Sequence, residues 1–175
     1  MRIEPWGDGD LPLLQRLNGD PAMMAHVGGP ESPKKIAERH ARYARPDSKQ
    51  FKIVDEETGE GVGWVGYWER EWHGEQVYEM GWAVLPGFQG RGFASAATRA
   101  AIEQARDERD RRFLHAYPSV ENEPSNAVCR KAGFTLLGRE TFEYPKGNLM
   151  RCNDWCIDLE AQAWTSDPGH VSVSR

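Results

Sequence analysis

Residues 76–109 constrain this chain more than any other stretch of its 175 residues. A strand-like run, 76–85, enters the loop Pro86-Gly87-Phe88-Gln89-Gly90-Arg91-Gly92. From Gly92 to about Arg109, Ala94, Ala97, Thr98, Ala101, Ile102 and Ala105 then recur at helical spacing. The first turn of a helix carries backbone N–H groups without partners, and its dipole favours negative charge there. Gly90 and Gly92 let backbone amides approach a ligand with no Cβ in the way. A strand, a glycine loop and a helix in this order make a cradle for an anion such as a pyrophosphate. The small residues of the buried helical face let it lie close to a sheet. A strand over 112–117 follows, so the strand–helix–strand step is expected to be a right-handed parallel crossover.

The rest of the chain supplies that sheet. Residues 2–6 read as a first strand. Asp8 or Asp10 is placed to cap a helix running to about Asn18. Gly28-Gly29-Pro30 is a break, after which Ser32 caps and Pro33 opens a polar helix to about Ala44, partly exposed over an opening. Strands are expected over 50–55 and 61–72 around a hairpin turn at 56–60, with a second turn at 73–75. A helix over 123–132 ends at Gly133, a residue suited to a left-handed C-cap. Two late strands, 134–144 and 148–159, flank Pro145-Lys146-Gly147. The whole is one mixed α/β domain over residues 1–160, with a polar tail, 161–175, expected to be loose.

Composition narrows the function. Hydrophobic residues make up 39% and charged residues 28%, a globular balance. The formal net charge of −5 argues against nucleic acid as the main partner. No apolar run is long enough to span a membrane and no signal peptide is read, so a cytoplasmic protein is expected. Cys129, Cys152 and Cys156 are too few and wrongly spaced for a zinc site and read as small core residues. Trp64, Trp68, Trp72 and Trp82 fall on strands at even spacing, which suits core packing or an aromatic-lined pocket.

The loop is neither a P-loop, since no Gly-Lys-Ser/Thr follows, nor a dinucleotide fingerprint, since Ser95 occupies the third glycine position. Its spacing is Gln89-x-x-Gly92-x-Ala94. A second element follows in order: Asn122-x-x-Ser125, then Lys131-Ala132-Gly133-Phe134. Together these motifs, with Glu79-Met80-Gly81-Trp82 and Pro86 before them, resemble the GCN-five-related N-acetyltransferases, and among them the ribosomal-protein N-terminal (Rim-type) branch. The likeness covers roughly residues 1–160 and is strongest over 78–134. It implies the acyl-CoA N-acyltransferase fold: a mostly antiparallel twisted sheet with one splayed parallel strand pair and helices on both faces. It further implies that the pantetheine arm of acetyl-CoA, or of another acyl-CoA, pairs with the backbone of Ala83 and Val84. The backbone from Gln89 through Gly90, Arg91, Gly92 and Phe93 to Ala94 would hold the pyrophosphate. Asn122 and Ser125 would face the arm from the other side.

Acyl transfer to an amine needs a base, a donor to the carbonyl oxygen and a proton for the departing thiolate. Glu79 alternates onto one face with Gly81 and Ala83 and is the candidate base or substrate orienter. A backbone N–H near Val84 is the candidate donor. Relatives carry a tyrosine acid where this chain has Cys129; that thiol could donate a proton or be a core residue, and Tyr144 or water could serve instead. His115 shares a face with Phe113 and Tyr117 and reads as a satisfied core group or a site residue. The expected acceptor is a small amine or a peptide N-terminus. The alternative is a non-catalytic acyl-CoA-binding regulatory domain on the same fold. No metal is implied, and late strands can pair between subunits, which admits a homodimer.

Overall fold

The computed structural model describes residues 1–143 and 146–161. Tyr144 and residues 162–175, nearly all of the expected tail, lie outside them. Along the chain come β1 (Arg2–Pro5), α1 (Leu11–Asn18), α2 (Pro33–Tyr43), β2 (Gln50–Val54), β3 (Gly61–Trp72) and β4 (Glu75–Val84). There follow α3 (Phe93–Glu108), β5 (Phe113–Ala116), α4 (Glu123–Ala132), β6 (Thr135–Glu143) and β7 (Leu149–Asp158). The strands form one sheet in the order β1-β2-β3-β4-β5-β7-β6. Only β4 and β5 run parallel.

Local chemistry accounts for most boundaries. His73 (φ 49°) and Gly74 (φ 82°) supply the two positive φ values of a two-residue hairpin turn, closing β3 on β4 at Trp72 and Glu75. Ser32 accepts the Lys35 N–H at 3.3 Å and caps α2, with Pro33 at its first position. Gly133 (φ 91°) ends α4, and the Phe134 N–H returns to the Cys129 carbonyl at 3.0 Å. The start of α1 departs from expectation. Asp10 stands at the cap position but accepts instead from the Gly7 N–H (2.8 Å) and the Lys52 ammonium (2.9 Å). A single-turn 3-10 segment at Asp8–Asp10 precedes the helix, so neither aspartate caps it.

Helices cover both faces. On one, Ala97, Ala101 and Ala105 of α3 are wholly buried in a core with Val65, Tyr67, Tyr78 and Met80. Small residues there let the backbone of α3 approach the sheet. The last turn of α3 is pinned by Glu108, which accepts from the hydroxyls of Tyr67 (2.8 Å) and Tyr78 (2.7 Å) and pairs with Lys49. On the other face, Leu14 and Leu17 of α1 and Ile36 and Tyr43 of α2 pack with Trp6, Trp64 and Leu85. Burying each such side chain contributes about 1.5–3 kcal/mol. All three cysteines are unbridged and buried.

Candidate active site

The site begins where the sheet comes apart. β4 and β5 pair only at Tyr78–Leu114 and Glu79–His115. Beyond that point β4 continues to Val84 bonded to β3 alone. The chain after β5 follows β7 instead: Pro118 accepts the Asn153 N–H at 3.0 Å, and Ser119 bridges to Cys152. The two strands therefore diverge as expected. The Leu85 N–H donates to Val62 at 2.8 Å, across to β3. Backbone polar groups alternate sides along a strand. Those of Ala83 thus face β3, while those of Trp82 and Val84 face the opening. This corrects the expectation for Ala83 and adds Trp82. The Val84 carbonyl is taken by the Gln89 side-chain amide at 2.9 Å, which ties the loop to the strand end and leaves the Val84 N–H toward the opening.

The loop then turns into α3 through two left-handed glycines, Gly90 (φ 74°) and Gly92 (φ 86°). The first helical bond runs from the Ala96 N–H to Gly92 at 3.0 Å. No backbone N–H from residue 90 to 95 has a protein partner among the described residues. A Cβ built at Gly87, Gly90 or Gly92 would meet nothing within 4 Å. Unpartnered donors facing open space at a helix N-terminus fit a pyrophosphate. Phe93 is buried beneath the loop, and Ala94 is half-buried, so both present backbone rather than side chains. Arg91 lies over the rings of Phe88 (5.4 Å) and Phe93 (5.1 Å) and approaches Asp55 at 3.8 Å, with about half of its side chain exposed. A cleft of about 530 Å³ adjoins the loop, between the end of α1 and Pro86–Phe88.

Asn122 caps α4, accepting the Ser125 N–H at 3.1 Å; both residues are half-buried at the start of that helix. The neighbouring Asn126 is a residue that sequence reasoning missed. It is buried, and its carbonyl oxygen accepts from Asn153 (2.7 Å) and Trp155 (2.8 Å). Its amide donates to Ser119 (2.9 Å) and Asn122 (2.8 Å). It thereby fixes the wall of the opening opposite β4. Cys129, one turn further on, has no exposed surface, and burial pushes its thiol up to about 12. It is a core residue, the second of the two readings open to it from the sequence.

The face of β4 opposite α3 carries Glu79 and Gly81. A Cβ on Gly81 would stand 3.1 Å from the Trp68 ring and 3.2 Å from that of Trp64. The tips of these two rings therefore fill the space over the bare glycine. Trp64 is core and Trp68 partly exposed, so the even-spaced tryptophans serve both packing and lining. Glu79 is ion-paired with Arg70 of β3. The Arg70 guanidinium is boxed by the rings of Trp72 (5.0 Å), Tyr117 (4.7 Å) and Phe142 (4.8 Å). Sequence reasoning missed Arg70, although its parity with Trp68 and Trp72 on one strand held the signal. His115 is 5% exposed and lies 2.7 Å from Asp154, which also accepts from Trp72 at 3.2 Å. His115 is therefore a satisfied buried group supporting the box.

Comparison with known proteins agrees with this geometry. Residues 1–135 match the family model described as an acetyltransferase (GNAT) domain. An uncharacterized N-acetyltransferase of Bacillus subtilis, YnaD, is 29% identical over 102 residues, which make up 58% of this chain and 59% of that relative. The match thus spans less than two thirds of that relative's length. Among solved structures, a GNAT-family acetyltransferase from Bacillus anthracis superposes with a TM-score of 0.75 at 23% identity, over 90% of this chain and 94% of that one. The spermidine N-acetyltransferase of Vibrio cholerae, solved with CoA and spermine, gives 0.74 at 20% identity, over 90% and 95%. At these identities the superpositions speak to fold alone, whereas the family model covers most of the chain: this protein belongs to the GNAT acetyltransferase family.

Proposed function

We propose that this protein is an N-acyltransferase that moves an acetyl or other short acyl group from acyl-CoA to a primary amine within a ternary complex. The observation that carries this reading is the run of unpartnered N–H groups over residues 90–95 beside the divergence of β4 and β5. The backbone of that loop, with Arg91 at its rim, holds the pyrophosphate. The edge groups of Trp82 hold the pantetheine arm, and Asn122 and Ser125 border it from α4. Bound acyl-CoA supplies the activated thioester carbonyl. The acceptor, a small amine or a peptide N-terminus, enters beside Glu79. Glu79 orients the amine and takes its proton, directly or through water, as the N–C bond forms and the C–S bond breaks. The Val84 N–H donates to the carbonyl oxygen as it gains charge. With Cys129 in the core, the departing thiolate takes its proton from solvent.

The test is free-thiol release from acetyl-CoA over a panel of amines, run beside thermal protection by acetyl-CoA and by ATP. Protection by acetyl-CoA alone, with turnover that Glu79→Gln lowers by about 10²–10⁴-fold, is the expected result. Protection without turnover on any amine would instead favour an acyl-CoA-binding regulatory domain.

A further inference from the structure

Resting on the transferase reading, the surroundings of Glu79 narrow the acceptor. The guanidinium of Arg70 is held on three sides by the rings of Trp72, Tyr117 and Phe142. A guanidinium offers five N–H donors in a rigid fork. Here one nitrogen, Nη1, donates to Glu79, and the other nitrogens have no protein partner among the described residues. About a quarter of the Arg70 side chain is exposed, and the second oxygen of Glu79 has no hydrogen-bond or ion-pair partner among the described residues. The hydroxyl of Tyr117 is buried with no hydrogen-bond partner among the described residues, and its ring lies against the Arg70 guanidinium. An aromatic box commonly receives a ligand's cation. In this protein the box already holds a cation of its own, and that cation presents spare donors beside a half-used carboxylate.

We propose that the acceptor is a short free amino acid, with amine and carboxylate one or two carbons apart, seated head to tail on the Arg70–Glu79 pair. Its amine lies against the second oxygen of Glu79, facing the opening between β4 and β5. Its carboxylate takes the unused donors of Arg70. The fork matches a carboxylate's two oxygens, and charge-assisted bonds of this kind are the stronger ones. A polycationic acceptor would meet a fixed positive charge where its second amine needs a negative one. Acetylation then forms the amide N–C bond, breaks the thioester C–S bond and leaves the acceptor's carboxylate unchanged in the pocket.

The experiment measures thiol release from acetyl-CoA with each of the twenty common amino acids, glycine to tryptophan, each beside its carboxamide, and with spermidine and a short peptide. We expect at least one amino acid to show a kcat/KM at least tenfold above that of its carboxamide. Arg70→Gln should erase that ratio by raising KM for the amino acid, while acetyl-CoA still protects the variant against heat. Arg70→Lys keeps the charge and loses the fork. It should also weaken the preference, and it serves if the glutamine variant disturbs the aromatic box. Equal or better turnover of carboxamides, spermidine or peptide overturns the acceptor class and leaves the transferase reading standing, as does a ratio that survives both variants. Thermal protection without turnover on any compound overturns both.

Discussion

Replacing Gly92 by alanine separates what the loop glycine does for the fold from what it does for the ligand. At φ 86° an alanine pays for its Cβ with left-handed strain, about 1–2 kcal/mol. Nothing lies within 4 Å of that Cβ, so packing adds no further cost. For a domain of this size each kcal/mol shifts Tm by about 2–4 °C, giving a loss of roughly 2–8 °C without ligand. Gly74, at the opposite end of β4, is a matched control, with φ 82° and nothing within 4 Å of its Cβ. Gly74→Ala should lose a similar amount. The two variants part when acetyl-CoA is added at a hundredfold excess over its wild-type dissociation constant. Wild type and Gly74→Ala gain about 2.7 kcal/mol. If the loop holds the pyrophosphate, the new methyl group of Gly92→Ala takes up space the pyrophosphate needs, and a tenfold loss of affinity leaves about 1.4 kcal/mol. Differential scanning fluorimetry with and without acetyl-CoA reads both terms. Equal protection of the two variants would refute the assignment of this loop to the pyrophosphate.

Three further outcomes follow from buried groups. Glu108→Gln removes the carboxylate that Tyr67, Tyr78 and Lys49 share, and should cost about 1.5–3 kcal/mol in urea unfolding at neutral pH. Burial opposes the Glu108 charge, but hydrogen bonds from Lys49, Tyr78 and Tyr67 outweigh it and hold the carboxyl below its ordinary value. Its contribution is thus complete above the unfolded pKa and fades as pH falls through the lower folded one; a gap to wild type that stays constant to pH 3 would count against this. Asn126→Ala removes four hydrogen bonds, strands the Asn153 amide and the Trp155 N–H, and should cost about 2–4 kcal/mol, with a changed near-ultraviolet signal from Trp155. Cys129→Ala should keep thiol release within about twofold of wild type while lowering stability by about 1 kcal/mol, since its thiol fills core space. A large fall in turnover with an unchanged fold would return that thiol to the chemistry.

What the chain discloses unaided is what local physics decides. Glycine at a left-handed φ, serine before Pro33 and the alanine spacing of α3 act within a few residues, and each was legible. Asp10 was misread because its carboxylate had three suitors, the helix amides, Gly7 and Lys52, and the last of these lies forty-two residues away. The role of Ala83 depended on which side of β4 its backbone groups face. That is fixed by pairing with Val62, and a one-residue change of register reverses it. Arg70 and Asn126 were overlooked for a similar reason. The box around Arg70 joins β3, β6 and the end of β5, and Asn126 draws partners from β7 and from the turn before α4. Parity along β3 sets Arg70 beside Trp68 and Trp72, but the convergence of partners from distant strands is a property of the assembled sheet.

The two-rung contact between β4 and β5 has a mechanical meaning. The seven strands are close to being two sheets, β1 to β4 on one side and β5, β7 and β6 on the other, stitched at Tyr78–Leu114 and Glu79–His115. Side chains, more than backbone, close the join: one core runs across it from Tyr78 and Met80 to Leu114, Phe134 and Trp155, and the rings around Arg70 and the Trp72–Asp154 bond add to it. The seam is thus where the backbone ladder is thinnest, with packing in its place. A ligand bound between Val84 and the α4 wall would act as a cross-brace where that ladder is missing. Part of its binding energy would go into the cohesion of the two halves, and acyl-CoA occupancy would then bear on the rigidity of the strand around Glu79, one of the stitched residues.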